Sequence, residues 1–391
     1  MTPAARVQAA IEILDLIVAA AGNQGAPADR IVSEWFRTRR FAGSGDRRAV
    51  RELVYAAIRA CGPLPQHGRS AMLRLAEDDA ALTALFGTGG HGPPAIVDEP
   101  VAQGGIAPQW LVEALTASGI AGDEAAALLG RGALDVRVNS LKAARDTIEL
   151  PVPAEPTVAR NGLRLPAGTP VETWPAFNEG LIEVQDSGSQ LVCEAAELQP
   201  GETVIDLCAG AGGKTLALGA AMANRGVLLA CDTDRGRLQR LPLRAARAGL
   251  SIAETLLLNP NQEAVQLAAW TARADCVLID APCSGTGTWR RNPEARWRLT
   301  PRDLDRHVAL QARLLDLAAP LVAPGGRLVY IVCSLLDREG ADQIAAYLDR
   351  TPGWRAQTPL LAAGNPRGAG LRLTPLADGC DGFFVARLVR V

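Results

Sequence analysis

The chain has 391 residues, 48% of them hydrophobic and 21% charged, with a formal net charge of −2. That length holds two or three domains with cores of their own, and the balance of apolar and charged residues excludes a disordered chain. The apolar run over 11–21 contains Glu12 and Asp15 and is too short to cross a bilayer, and the N-terminus lacks the order of a secretory leader. Eight cysteines without a CxxC pair, beside three histidines, argue against a disulfide scaffold or a zinc site. The expectation is a cytoplasmic protein with reduced thiols, no metal, no membrane partner and no obligate protein partner, compatible with a monomer.

Residues 4–82 read as helices, with Ile11, Leu14, Ile17 and Val18, then Ile31, Trp35 and Phe36, then Val50, Leu53, Val54, Ala57 and Ile58 at helical spacing. Eight arginines fall between Arg30 and Arg59, among them Arg37, Arg39 and Arg40, and six more between Trp289 and Arg306. Phosphate contact needs a local basic surface rather than a basic whole, so both clusters are candidates for RNA contact, against the alternative of solvated helix faces. The boundaries expected are a helical domain over 1–87, a Gly- and Pro-rich linker over 88–107 and a small α/β module over 108–184, with its first strand at 134–138.

From 185 to 391 the pattern alternates. Strands are expected at 203–207, 227–231, 255–258, 276–279 and 327–332, and helices at 189–197, 214–223, 235–248, 305–322 and 338–349. A hairpin over 371–374 and 382–388 closes the chain. Apolar strands separated by amphipathic helices specify a doubly wound, mostly parallel α/β sheet.

The first of these strands runs into Asp206-Leu-Cys-Ala-Gly-Ala-Gly-Gly-Lys-Thr215. Its glycines allow a tight turn and close backbone approach to a ligand. The loop nearly matches the phosphate-cradling G-x-x-x-x-G-K-[ST], but Cys208 stands where the first glycine belongs, which leaves a P-loop NTPase as a minor alternative. Asp206 opens the turn and Asp232 closes the second strand, where a ribose diol is commonly held. Asp206 suits a ligand's ammonium and would repel a triphosphate, so S-adenosylmethionine fits these acids better.

Two further strands end in Asp280-Ala-Pro-Cys-Ser-Gly and Val-Tyr-Ile-Val-Cys333-Ser, which puts the thiols of Cys283 and Cys333 at one sheet edge. Pro282 fixes its own φ and restricts Ala281, stiffening the first turn. A thiol adding to C6 of cytosine makes C5 nucleophilic, so two thiols beside a sulfonium donor suit covalent methylation with a nucleophile and a helper. Lys214 is a candidate positive charge for the thiolate, and Asp280 a candidate for holding the base. Cys61, Cys193, Cys276 and Cys380 read as small core residues, and no histidine has a convergent partner.

These stretches, with Glu183-Val-Gln-Asp-Ser-Gly-Ser-Gln190 and Asp381-Gly-Phe-Phe-Val-Ala386, resemble the Sun/Nop RNA cytosine-5 methyltransferases, most closely the bacterial ribosomal-RNA methyltransferase B branch. The resemblance implies a Rossmann-like class I methyltransferase domain that uses S-adenosylmethionine to make 5-methylcytosine in RNA, 16S ribosomal RNA being the implied substrate. It implies a NusB-like all-α domain before it, carried by Asp46-Arg-Arg and the stretch from Glu52 to Arg59. It makes Cys333 the C6 nucleophile and Cys283 the residue that assists product release, with Lys214 and Asp280 lining the base pocket. Cofactor contacts are implied at Asp206, Cys208, Ala209, Gly210, Ala211, Gly212, Lys214, Asp232, Arg237, Asn259, Asp280 and Pro282, and Arg137 and Asn139 match a motif of the small module. Two departures stand out: Gly210 and Ala211 replace the family's Ala-Pro, and Asn259 to Gln262 replace an acid that approaches the adenine. An RNA-binding or ribosome-assembly protein on the same fold, with dispensable catalysis, is the alternative.

Overall fold

The computed structural model describes residues 1–23 and 25–391; residue 24, inside the helical stretch expected over 4–82, lies outside the described residues. The chain divides into two compact units, Met1–Gly130 with Thr288–Pro301, and Arg131–Gly287 with Arg302–Val391. These do not coincide with the boundaries expected at 88, 108 and 185.

The first unit is helical: Pro3–Gly22, Ala28–Arg37, Ser44–Ala60, Gly68–Ala76 and shorter pieces including Gln109–Ala117 and Gly122–Ala127. Its longest helix starts where the Thr2 side chain accepts the Ala5 N–H and Pro3, which has no N–H to leave unpaired, occupies the first turn. Val7, Ile11, Leu14, Ile17 and Ala21 form its buried stripe. Gly68 lets the helix Gly68–Ala76 touch that stripe, because a Cβ there would sit 2.4 Å from the Ile11 carbonyl oxygen. The stretch expected as a linker over 88–107 is instead a strap on this unit: Ala102 is buried and donates its N–H to the Ser70 carbonyl, and Glu99 pairs with Arg69 at 2.6 Å.

Thr288–Pro301 belongs to the helical unit although it begins only five residues after Cys283 of the Asp-Ala-Pro-Cys turn. Arg296 is fully buried and donates to the carbonyls of Ile58 (2.7 Å), Cys61 (2.6 Å) and Pro293. Trp297 Nε1 donates to the Gly62 carbonyl at 3.1 Å, Glu294 accepts the Ala28 N–H at 3.0 Å, and Arg298 donates to the carbonyls of Gly25 and Ala26. These bonds tie the segment to the C-terminal end of the helix Ser44–Ala60 and to the N-terminal end of the helix Ala28–Arg37, whose Ala28 N–H has no partner within its own helix.

The second unit begins with a small antiparallel sheet of β1 (Leu134–Val138), β2 (Glu155–Pro156), β3 (Gly162–Leu165) and β4 (Ile182–Val184), in the order β2-β3-β1-β4. Its apolar face carries Val136, Val138, Leu163, Leu165 and Ile182, and Asp135, Arg137 and Glu183 are buried on the other. The main sheet follows with β5 (Thr203–Asp206), β6 (Val227–Asp232), β7 (Ala253–Leu257), β8 (Ala274–Asp280), β9 (Val322–Val332), β10 (Trp354–Gln357), β11 (Asn365–Arg367), β12 (Gly370–Leu373) and β13 (Phe383–Arg390). Its order among the described residues is β11-β12-β13-β9-β8-β5-β6-β7, with β10 paired to β13. Strands β5 to β9 are parallel, and β13 runs antiparallel to β9. This is the Rossmann-like methyltransferase architecture, in which the chain reverses its direction of travel across the sheet beside β5.

The terminal hairpin β12–β13 is present and sits inside this sheet, with a short helix, Pro375–Asp378, in its turn. The single helix expected over 235–248 is two pieces, Arg235–Leu238 and Leu241–Ala248, because Pro242 supplies no N–H to continue the first and instead opens the second. The helix expected to 322 ends at Ala318, and β9 starts at Val322, five residues before the expected strand.

Candidate active site

The carboxyl ends of β5, β6, β8 and β9 deliver Asp206, Asp232, Asp280 and, one residue past the strand, Cys333 to the same sheet edge. A cleft of about 360 Å³ opens there. Cys208, Asp232, Arg237, Asp280, Pro282, Cys283 and Cys333 all line it. The glycine loop is built around Asp232, whose Oδ2 accepts the Gly210 N–H at 2.7 Å and whose Oδ1 accepts the Asp234 N–H at 2.7 Å. Gly210 and Gly212 hold φ of +56° and +87°, in the left-handed region that favours glycine, and Gly212 opens the helix Gly213–Ala221. Of the two departures from the family's loop, Gly210 stands for alanine at a positive φ that favours glycine, whereas Ala211, which stands for proline, is not at a positive φ.

Asp206 does not line the cleft. It is fully buried under the loop, where its Oδ2 accepts the Thr215 hydroxyl at 2.6 Å and its Oδ1 has no hydrogen-bond partner. Burial raises its carboxyl to about 7, against the opposing Thr215 bond and with help from the Asp280 charge. Ala209 and Ala211 act through the backbone: the Ala209 N–H donates to the Cys231 carbonyl, and the Ala211 carbonyl accepts from Arg244. Asn259 is exposed and outside the cleft, its N–H held by Gln266 at 2.7 Å. An acid is nonetheless present: Glu263, buried, lines the cleft and pairs with Arg313 at 3.0 Å, which holds its carboxyl below the usual range.

Lys214 stands on the first turn of its helix with Nζ 2.6 Å from Asp280 Oδ2 and 5.6 Å from the centre of the Phe383 ring. Burial alone would lower the ammonium, but the Asp280 charge and hydrogen bond outweigh it and the net shift is upward, so Lys214 stays charged. Committed to a carboxylate, it is not free in the way a triphosphate-binding lysine must be, which counts against the P-loop alternative.

The sulfurs of Cys283 and Cys333 lie 3.4 Å apart, within hydrogen-bond reach. The contact with Cys333, then burial, then the charges of Cys333 and Glu339 push the Cys283 thiol well up, and either sulfur can donate in the shared contact. Burial likewise keeps Cys208 protonated, and it pushes Cys193 up to about 12; neither suits a nucleophile.

Glu263, Arg313 and the Leu310, Leu314 and Leu317 stripe of the helix Pro301–Ala318 line the cleft without having been singled out from the sequence. The leucine spacing was a readable helix face; the turn of that face toward the cleft was not. Asn139 and Lys142 prove to be fasteners. Asn139 Nδ2 donates to the carbonyls of Gly180 and Ala248, and Lys142 Nζ to those of Glu179 and Arg247, which binds the small sheet to the helix Leu241–Ala248. Of the two basic clusters, the second is largely consumed internally: Arg296 and Arg298 bind backbone carbonyls and Arg306 pairs with Asp303. In the first, Arg37 is exposed beside Glu34, and Arg39 lies 4.0 Å over the Trp35 ring.

The donor set of the cleft fits a nucleoside sulfonium: a strand-end carboxylate at Asp232 for a diol, apolar Leu258 and Pro282 for a ring, and no cluster of free cations for phosphates. The family model of the 16S rRNA methyltransferase RsmB/F matches residues 194–389. The ribosomal RNA small subunit methyltransferase B of Xanthomonas campestris pv. campestris is 39% identical over 234 residues, 60% of this chain and 53% of that protein. The protein of the same name from Salmonella typhi is 37% identical over 232 residues, 59% of this chain and 52% of that one. The chain therefore spans about half the length of the curated relatives it matches. Among solved structures, PH0851 matches with a TM-score of 0.76 at 27% identity over 99% of both chains. NSun6 from Pyrococcus horikoshii with SFG shares the fold at a TM-score of 0.61 and 18% identity, over 73% of this chain and 98% of that one. With the family's motifs placed at the ends of the parallel strands and its model matched over about half of the chain, this protein belongs to the 16S rRNA methyltransferase RsmB/F family.

Proposed function

We propose that the protein methylates cytosine C5 in RNA, with 16S ribosomal RNA the substrate, through a covalent bond between Cys333 and C6 of the target base. The 3.4 Å contact between the two sulfurs carries this reading, since it puts a helper thiol against a second thiol in the lining of the cleft. When bound along Asp232, Leu258 and Pro282, S-adenosylmethionine supplies an electrophilic methyl group. The chain's own residues do the rest. Cys333 adds to C6 as the thiolate, while Asp280, oriented by Lys214, holds the amidine edge of the cytosine.

Forming the C–S bond removes both the Cys333 hydrogen bond and its negative charge, two of the influences that hold Cys283 protonated. Cys283 therefore becomes more acidic in the adduct. With its own proton released to solvent, it is placed to take the C5 proton, after which the C6–S bond breaks and Cys333 leaves as the thiolate. We read the helical unit as the NusB-like RNA-binding domain, with Arg37, Arg39 and Arg40 toward phosphate.

Incubating each variant with labelled S-adenosylmethionine and 16S RNA, then running denaturing gels, tests the roles. Cys333→Ala should give neither methylation nor adduct. Cys283→Ala should accumulate protein on RNA because release fails. An adduct with Cys333→Ala and none with Cys283→Ala would reverse the roles. Cofactor binding without any methylation by the wild-type protein, on RNA or on small subunits, would favour an assembly factor with dispensable catalysis.

A further inference from the structure

Neither cysteine is held by its own side chain alone; the residue after each one is anchored to a carboxylate 5 and 55 residues away in sequence. Glu339, fully buried, ends the 3-10 turn Asp337–Glu339. Its Oε1 accepts the Ser284 N–H at 2.8 Å and the Gln311 side-chain amide at 3.1 Å. Its Oε2 accepts the hydroxyls of Ser284 and Ser334, the latter at 2.5 Å. The second amide hydrogen of Gln311 goes to the Pro282 carbonyl at 2.9 Å. Thr286 closes the set, within 3.2 Å of the Ser334 hydroxyl and accepting the Leu335 N–H at 2.9 Å. The glutamate is itself held, since the Tyr330 hydroxyl donates to its carbonyl at 2.6 Å.

Ser284 follows Cys283 and Ser334 follows Cys333, so one carboxylate grips both thiol-bearing turns. We propose that Glu339 is a positioning residue whose buried carboxylate, with Gln311 as a brace on Pro282, sets the separation of the two catalytic sulfurs. It touches neither thiol by hydrogen bond and acts through the serines. Four donors converge on the two oxygens, a pattern that a carboxylate accepts without a hydrogen of its own. An amide reverses the pattern: in Glu339→Gln an NH2 facing Ser284 and Ser334 donates where the carboxylate oxygen accepts, so both hydroxyls must turn away and the charge-assisted grip on them is lost. The negative charge also contributes, after the Cys333 contact and burial, to keeping Cys283 protonated.

This inference rests on the two-thiol reading above, and its test separates the two. In the full chain, dibromobimane becomes fluorescent only when it bridges two neighbouring thiols; Cys283→Ala and Cys333→Ala set the background. The bridged fraction should drop several-fold in Glu339→Gln while alkylation of either thiol by iodoacetamide continues. With methylation as the second readout, kcat should fall by roughly a hundredfold, the scale of an ångström's misplacement, with KM for RNA and cofactor unchanged. Ser334→Ala, which removes one arm and keeps the carboxylate, should give an intermediate loss in both and serves if Glu339→Gln does not fold. A bridged fraction and kcat equal to wild type in Glu339→Gln, or in Ser334→Ala if it alone folds, overturns the inference. If wild type does not methylate RNA but the bridged fraction still falls, the positioning role stands and the proposed reaction fails.

Discussion

Arg296 offers the sharpest test of how the two units share the chain. In Arg296→Met a neutral side chain of similar length replaces a guanidinium that is fully buried and bonded to three carbonyls. The Ile58 carbonyl keeps a partner, the Cys61 N–H at 3.3 Å, but the Cys61 and Pro293 carbonyls lose the side chain that satisfies them. Leaving a buried acceptor unpaired costs about 1–3 kcal/mol each, and a bond to a charged donor lies at the upper end. Against this, burial lowers the Arg296 pKa to about 10, a bias of about 3 kcal/mol against the charged form that methionine escapes. The lost packing over the Trp297 ring, 5.4 Å away, shifts the balance back toward destabilisation.

The net is a loss of about 2–4 kcal/mol, confined to the helical unit. Hydrogen exchange followed by mass spectrometry on the full chain reads it directly. Peptides across residues 44–76 should exchange roughly 30- to 1,000-fold faster, and those across β5, β8 and β9 should hold their protection. Less than threefold acceleration in the helices, or an equal acceleration in the sheet, would refute the view that Thr288–Pro301 is a structural part of the helical unit.

Two other perturbations address the site. Asp206→Asn keeps an acceptor for Thr215 and removes the buried acid. Because burial raises the folded-state carboxyl to about 7, the native protein binds an extra proton between about pH 4 and 7, so stability falls as pH rises through that window. Urea midpoints across pH should show the variant lacking a slope of up to about 1.4 kcal/mol per pH unit that the wild type has; equal slopes would place the charge elsewhere. Lys214→Met removes the cation 2.6 Å from Asp280 and should lower kcat by about 10²–10³ with cofactor affinity retained. A rise in KM at unchanged kcat would make Lys214 a binding residue only.

Much of the site was legible because it is carried by short local patterns. An apolar run followed by Asp280-Ala-Pro-Cys or by Cys333-Ser determines a strand and which side chain stands at its end, whatever the rest of the chain does. Asp232, Lys214 and the positive-φ glycines were readable for the same reason. Asn259 lies exposed outside the cleft while Glu263, four residues on at the start of the helix Glu263–Gln266, lines it, and the turn between them, not a strand end, sets that placement.

Residues whose role depends on what arrives from far away were not legible. Glu339 looks like a surface acid in Asp337-Arg-Glu339 until Ser284, Ser334 and Gln311 surround it. Arg296 looks like one of six arginines on a basic face until the helix end at Ile58, 238 residues earlier, closes over it. Local sequence determined the elements and the chemistry at their ends, since backbone sterics and hydrophobic period act over a few residues. Burial alone decided which polar groups became structural, because a charge out of water persists only where specific partners meet it, and only the tertiary structure supplies them.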